Sequence, residues 1–137
     1  MIYNIDQIDK IVEELYLLIP KYKIFAFSGD LGAGKTTIIK KLLKKCGIQD
    51  VIVSPTYLYV NHYTNFQQKN FYHFDLYRIK DLKSFQEFGF HEILNQENSW
   101  AFIEWPDIIN NLIYKNCVFI YLEYLDIDQR KIKIITP

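Results

Sequence analysis

Gly29-Asp-Leu-Gly-Ala-Gly34-Lys35-Thr36 constrains this chain more than any other stretch. It fits the pattern GxxxxGK followed by serine or threonine without a gap. The short apolar run Lys23-Ile-Phe-Ala-Phe-Ser28 precedes it and reads as a buried strand, while residues 35–46 follow with helical spacing and stop at Gly47. A strand that turns through glycines into a helix suits phosphate. Small residues let backbone N–H groups curve around phosphate oxygens, and the helix directs its positive N-terminal end at the same charge. In such a loop Lys35 bridges the β- and γ-phosphates, and Thr36 offers its hydroxyl to Mg²⁺, a cation held mainly by oxygens. The candidate binding segment for ATP therefore comprises Gly29, Asp30, Leu31, Gly32, Ala33, Gly34, Lys35, Thr36 and Thr37.

The chain of 137 residues is expected to form one domain, 1–137, with a single core. Half of it is hydrophobic and 17% aromatic, too apolar for disorder. Sixteen basic residues balance sixteen acidic ones, so no overall field draws the molecule to DNA or to a membrane surface. Cys46 and Cys117 lack the spacing of a disulfide framework or a zinc site. No signal-like leader or membrane-length apolar stretch occurs, and a cytoplasmic location is expected.

Apolar residues recur at helical spacing from Asn4 to Ile19, with Asn4 and Gln7 placed as a cap pair, so a first helix is expected to end before Pro20. Val51–Val53 and Tyr57–Tyr63 read as extended, interrupted at Ser54-Pro55-Thr56. The polar turn Asn65–Asn70 joins the second of these to a strand at Phe71–Tyr77 as a hairpin. Ser84–Leu94 holds short helical pieces broken at Gly89. Trp100–Glu104 is a buried-type strand, Pro106 opens a short helix to about Ile113, and Cys117–Leu125 with Lys131–Ile135 closes the chain as a hairpin. The expected fold class is α/β, a three-layer P-loop NTPase fold whose mixed sheet is flanked by helices and extended by antiparallel hairpins.

A phosphate loop needs a carboxylate facing the metal, usually at the end of a neighbouring apolar strand. Glu104, at the C-terminal edge of Trp100–Glu104, fits that place. Asp75, in the aromatic strand Phe71–Arg78, either bonds Arg78 or lines the site, because a buried acid must be paired or wet. Thr56 occupies a loop after the second helix, where a switch residue could sense the γ-phosphate; an ordinary turn is the alternative. His73 with Asp75, or His91 with Glu92, lacks a third metal ligand at suitable spacing, so satisfied or surface histidines are the simpler reading. Lys40, Lys41, Lys44 and Lys45 form a basic helix face, usually solvated, that could otherwise receive an acidic partner or an RNA backbone.

Only two arginines occur, Arg78 and Arg130, which weakens the reading as a small-molecule kinase, since such enzymes clamp acceptor and phosphoryl group with several. No Asn-Lys-x-Asp tetrapeptide supports a GTPase. A nucleotide-dependent switch, an ATPase subunit of an assembly, and a binding module without hydrolysis remain.

Gly29 to Thr37, Ser54-Pro-Thr-Tyr57, His73-Phe-Asp-Leu-Tyr-Arg78 and Ile103-Glu-Trp-Pro106 together resemble the bacterial TsaE family, in order and spacing, over nearly the whole chain. The resemblance implies a Mg-dependent P-loop ATPase needed to form N6-threonylcarbamoyladenosine in tRNAs reading codons that begin with adenine. It implies TsaB and TsaD as partners, with tRNA met through their complex. It further implies Lys35 as the phosphate lysine, Thr36 and Glu104 at Mg²⁺, Thr56 as a switch threonine and Asp75 as a site acid. Trp105 would lie beside the nucleotide and Arg130 would contact it. The first helix begins almost at Met1, which implies that the segment often holding the base is trimmed.

Overall fold

The computed structural model describes residues 1–55 and 58–137. Its strands are β1 (Ile2–Asn4), β2 (Ile24–Ser28), β3 (Val60–Thr64), β4 (Asn70–Asp75), β5 (Ser99–Glu104), β6 (Cys117–Tyr124) and β7 (Gln129–Ile135). The α-helices are α1 (Ile8–Tyr16), α2 (Lys35–Lys45), α3 (Leu82–Glu87), α4 (Phe90–Leu94) and α5 (Asn110–Ile113), with 3₁₀ turns at Ile5–Gln7 and Pro106–Ile109. All seven strands join one sheet in the order β1-β7-β6-β2-β5-β4-β3. Its centre is parallel, β6 with β2, β2 with β5 and β5 with β4, while β3 adds antiparallel at one edge and β7 and β1 at the other.

The central strands are buried on both faces, which is why β2 and β5 read as continuous apolar runs instead of alternating ones. On one face Phe25, Phe27, Phe71, Phe102 and Ile120 pack with Leu15 of α1 and with Ile38, Ile39, Leu42 and Leu43 of α2. On the other, Ala26, Phe74 and Ile103 pack with Phe85 of α3, Phe90 of α4 and Ile113 of α5. The result is three layers. Gly47, at φ +93°, ends α2: its N–H donates to Lys44 O at 3.0 Å and that of Ile48 to Leu43 O at 3.1 Å, so two otherwise orphaned carbonyls are satisfied.

Two stretches depart from the sequence reading. Residues 2–4 form a strand ahead of the first helix, because Ile2 pairs with Lys131 and Tyr3 with Arg130, and the Ile5 N–H donates to Asp128 O at 2.9 Å. Asn4 and Gln7 do bond as expected, Asn4 N–H to Gln7 Oε1 at 3.0 Å, but over the 3₁₀ turn that leads into α1. Val51–Val53 joins no strand. Side chains take up its backbone instead, Asn61 Nδ2 donating to Val53 O at 3.0 Å and Tyr63 Oη accepting from Val53 N–H at 3.3 Å. The next strand starts only at Val60, after Tyr59 turns at φ +63°.

Candidate functional site

The parallel strands β2, β5 and β4 end side by side, and the glycine loop, Glu104 and Asp75 meet there. Ser28 leads into the glycine loop, Glu104 ends β5, and Asp75, its register partner, ends β4. The loop's conformation demands its glycines: Gly29, Gly32 and Gly34 lie at φ +152°, +82° and +107°. A Cβ on Gly29 would stand 2.3 Å from the Leu122 carbonyl oxygen of β6, whereas none on Gly32 would meet anything within 4 Å. Ala33 turns its methyl into the core, Asp30 and Leu31 face outward, and Thr37 is exposed on the first turn of α2.

Lys35 is 5% exposed. Its ammonium donates to the Gly29 carbonyl and, at 3.1 Å, to that of Asp30, and lies 4.0 Å from the centre of the Trp105 ring. Burial lowers its pKa, against the raising pull of Glu104, Asp75 and Asp30. Trp105 stands at φ +56°, a left-handed turn costing about 1–3 kcal/mol, which breaks β5 after Glu104. Its ring packs 4.9 Å from that of Tyr77.

Glu104 is buried and ties two elements together. Thr36 Oγ1, on α2, donates to its Oε1 at 2.7 Å, and its Oε2 lies 2.6 Å from His73 Nε2 on β4. Asp75 accepts the Tyr77 N–H on Oδ1 at 3.1 Å. Burial raises its pKa, and the Glu104 charge beside it adds to the rise. Asp75 lines the cleft. His73 is fully buried and bonded through Nε2 to Glu104, and among the described residues no cluster of three or more His, Cys, Asp or Glu side chains is placed to hold a metal.

The donors fit a magnesium nucleotide nonetheless. A cradle closed to Cβ atoms at Gly29, and a hydroxyl and a carboxylate as hard oxygen donors, suit Mg²⁺, which takes only one or two protein ligands and completes its shell with phosphate and water. The cleft, about 670 Å³, runs from Glu104, Asp75 and Trp105 across the loop to Tyr3, Ile5 and Arg130. Arg130 Nη1 donates to Asp126 O at 2.6 Å and Gln129 O at 3.0 Å, and the guanidinium lies 4.4 Å from the Tyr124 ring centre. Thr56 lies outside the described residues. Tyr3 and Ile5 escaped the sequence reading as cleft residues, since Tyr3 lies on a three-residue strand too short to show alternation and Ile5 on the 3₁₀ turn after it.

The family model described as "Threonylcarbamoyl adenosine biosynthesis protein TsaE" matches residues 2–132. The chain belongs to the TsaE family. A tRNA threonylcarbamoyladenosine biosynthesis protein TsaE from Rickettsia felis is 36% identical over 136 residues, covering 97% of this chain and 77% of the relative. One from Borreliella burgdorferi is 44% identical over 101 residues, 74% of this chain and 72% of the relative. The crystal structure of Bacillus subtilis YdiB superposes with a TM-score of 0.71 at 22% identity, over 99% of this chain and 84% of that one, and shares its P-loop NTPase fold. TsaE membership ties the chain to tRNA threonylcarbamoyladenosine biosynthesis. Among the described residues no helix is long and apolar enough to cross a membrane.

Proposed function

We propose that this chain, acting as one domain in the cytoplasm, binds ATP with Mg²⁺ in the cleft and hydrolyses it in support of N6-threonylcarbamoyladenosine formation in tRNAs reading codons that begin with adenine. TsaB and TsaD are its partners, and tRNA is met through them. One observation carries the reading: the 2.7 Å hydrogen bond from Thr36 to Glu104 sets a hydroxyl and a carboxylate together at the exit of a glycine loop. That is the pairing a magnesium nucleotide requires.

The residues divide the work. Gly29 to Gly34 present main-chain N–H groups to phosphate oxygens. Lys35, held against loop carbonyls, exchanges them for the β- and γ-phosphates. Thr36 and Glu104 hold Mg²⁺, which supplies neutralisation of phosphate charge when bound. Trp105 packs beside the phosphates, Arg130 closes the far wall, and Thr56 serves as the switch threonine. In hydrolysis a water oxygen attacks the γ-phosphorus as the bond to the β-phosphate oxygen breaks. Asp75 Oδ2 is suited to take the water's proton, since Oδ1 is engaged by Tyr77 and burial raises the carboxyl's proton affinity.

Lys35→Ala tests the site. It should abolish ATP binding by calorimetry while the circular dichroism spectrum is unchanged, and retained affinity would show that the loop is no phosphate cradle. With γ-labelled ATP, label released to water supports an ATPase, label on a small acceptor a kinase, and nucleotide binding with neither a module without hydrolysis.

A further inference from the structure

Among the described residues, His73 is the one fully buried ionisable side chain in contact with the site whose work the proposed function leaves unstated. It is 0% exposed, lies on the sheet face that packs under α2, and directs Nε2 to Glu104 Oε2 at 2.6 Å. Its other nitrogen, Nδ1, is buried and has no hydrogen-bond partner among the described residues. The network assigns the proton: Glu104 accepts, so Nε2 carries the hydrogen, and among the described residues a proton on Nδ1 would meet no acceptor. Both carboxylate oxygens of Glu104 are thereby addressed from opposite sides, Oε2 from β4 by His73 and Oε1 from α2 by Thr36. Glu104 is the last residue of β5, next to a left-handed turn, and its side chain has free torsions that the strand does not fix.

We infer that His73 is a positioning residue for magnesium: by holding Oε2 it fixes the carboxylate plane of Glu104, so that Oε1 and the Thr36 hydroxyl face the cation together. A purely structural histidine would need only some buried acceptor. Here the acceptor is the one carboxylate that meets Thr36, and losing the imidazole would leave a buried carboxylate oxygen unpaired and free to turn away. The inference rests on the reading of the cleft as a magnesium–nucleotide site.

The test is calorimetric titration of the full chain with ADP, in EDTA and across a Mg²⁺ series. His73→Leu should raise the Mg²⁺ concentration that gives half of the affinity gain by about 10–100-fold, the usual effect of removing a partner of a metal ligand, and leave affinity in EDTA unchanged. His73→Gln, whose amide N–H reaches the place of Nε2, should restore most of the magnesium response. In a Glu104→Gln background His73→Leu should add nothing further. A magnesium response in His73→Leu equal to wild type, or an equal loss of affinity with and without Mg²⁺, would overturn the inference. If His73→Leu does not fold, His73→Asn, with a shortened donor, takes its place in the same comparison. A second readout needs no ligand: the ¹⁵N spectrum of labelled histidines should show His73 protonated on Nε2, with a shift of that signal in Glu104→Gln, and no shift counts against the inference. Wild-type protein that binds no nucleotide with Mg²⁺ would instead overturn the functional reading itself.

Discussion

Gly29 approaches the main chain of β6 so closely that its lack of a side chain serves packing as well as phosphate. An added Cβ would sit 2.3 Å from the Leu122 carbonyl oxygen, and backbone cannot step aside as a flexible side chain would. Gly32, with nothing within 4 Å, has only its φ of +82° against substitution. Gly32→Ala should therefore cost about 1–2 kcal/mol in urea unfolding and Gly29→Ala clearly more; equal losses would show that the loop yields at β6. The motif marks both positions as glycine, but only the tertiary contact separates them. Asp75 is a similar case: the sequence left bonding to Arg78 or lining the site open, and what the fold adds is its register beside Glu104, on the wall of the cleft. Burial raises its pKa, so folding favours its protonated form. The stability it contributes is present in full below the ordinary carboxylate pKa and is lost as pH rises through the raised value in the folded state. Asp75→Asn keeps the acceptor for the Tyr77 N–H. It should melt higher than wild type at pH 7 in the absence of nucleotide, with the gap closing toward pH 4, and it should hydrolyse ATP more slowly. A gap that widens on acidification would reverse the assignment.

The second helix shows what can and cannot be read at the level of an element. Its boundaries and its stop at Gly47 follow from periodicity and one glycine, and its buried row Ile38, Ile39, Leu42 and Leu43 is the apolar face of the pattern. The lysines on the other face could have met water, RNA or an acidic partner. The structure sets two of them against α1, Lys41 Nζ 3.2 Å from Asp9 Oδ1 and Lys45 Nζ 2.5 Å from Glu13 Oε2. Both pairs are solvent-exposed, and such pairs are typically worth about 0–1 kcal/mol. Lys41→Ala should accordingly shift the unfolding midpoint little, whereas Leu42→Ala, one residue on and fully buried, should cost about 2–5 kcal/mol. Comparable losses would mean that charge, not apolar burial, seats α2 on the sheet. β1 was not legible at all: its three residues carry no period, and its existence depends on β7, more than a hundred residues away in sequence. The same non-local pairing brings Tyr3 to the cleft.

At the scale of the molecule, the expected α/β class agrees with the sheet, whereas its strand order, set by long-range pairing alone, was beyond local patterns. That order sets the chemistry of the cleft. β2 lies between β5 and β6, so the glycine loop is flanked on one side by Glu104 and, beyond it, Asp75, and on the other by the β6–β7 hairpin that carries Arg130. Arg130 is not adjacent to the loop in sequence, yet the fold turns it toward the same cleft; its Nη1 is tied to the carbonyls of Asp126 and Gln129. A guanidinium so anchored is suited to hold the nucleotide's periphery and poorly placed to follow charge developing on the γ-phosphoryl group. An arginine finger supplied by a partner is worth about 10³ to 10⁵ in rate. Slow hydrolysis by the chain alone is the expected outcome, with turnover rising by more than about tenfold when TsaB and TsaD are added together. Arg130→Ala should weaken ATP binding but leave the factor of stimulation intact, which separates an anchoring role from a transferred-charge role. Equal phosphate release with and without TsaB–TsaD would mean that the cleft is catalytically complete in one chain. Loss of stimulation in Arg130→Ala at saturating ATP would move the finger from the partner to β7.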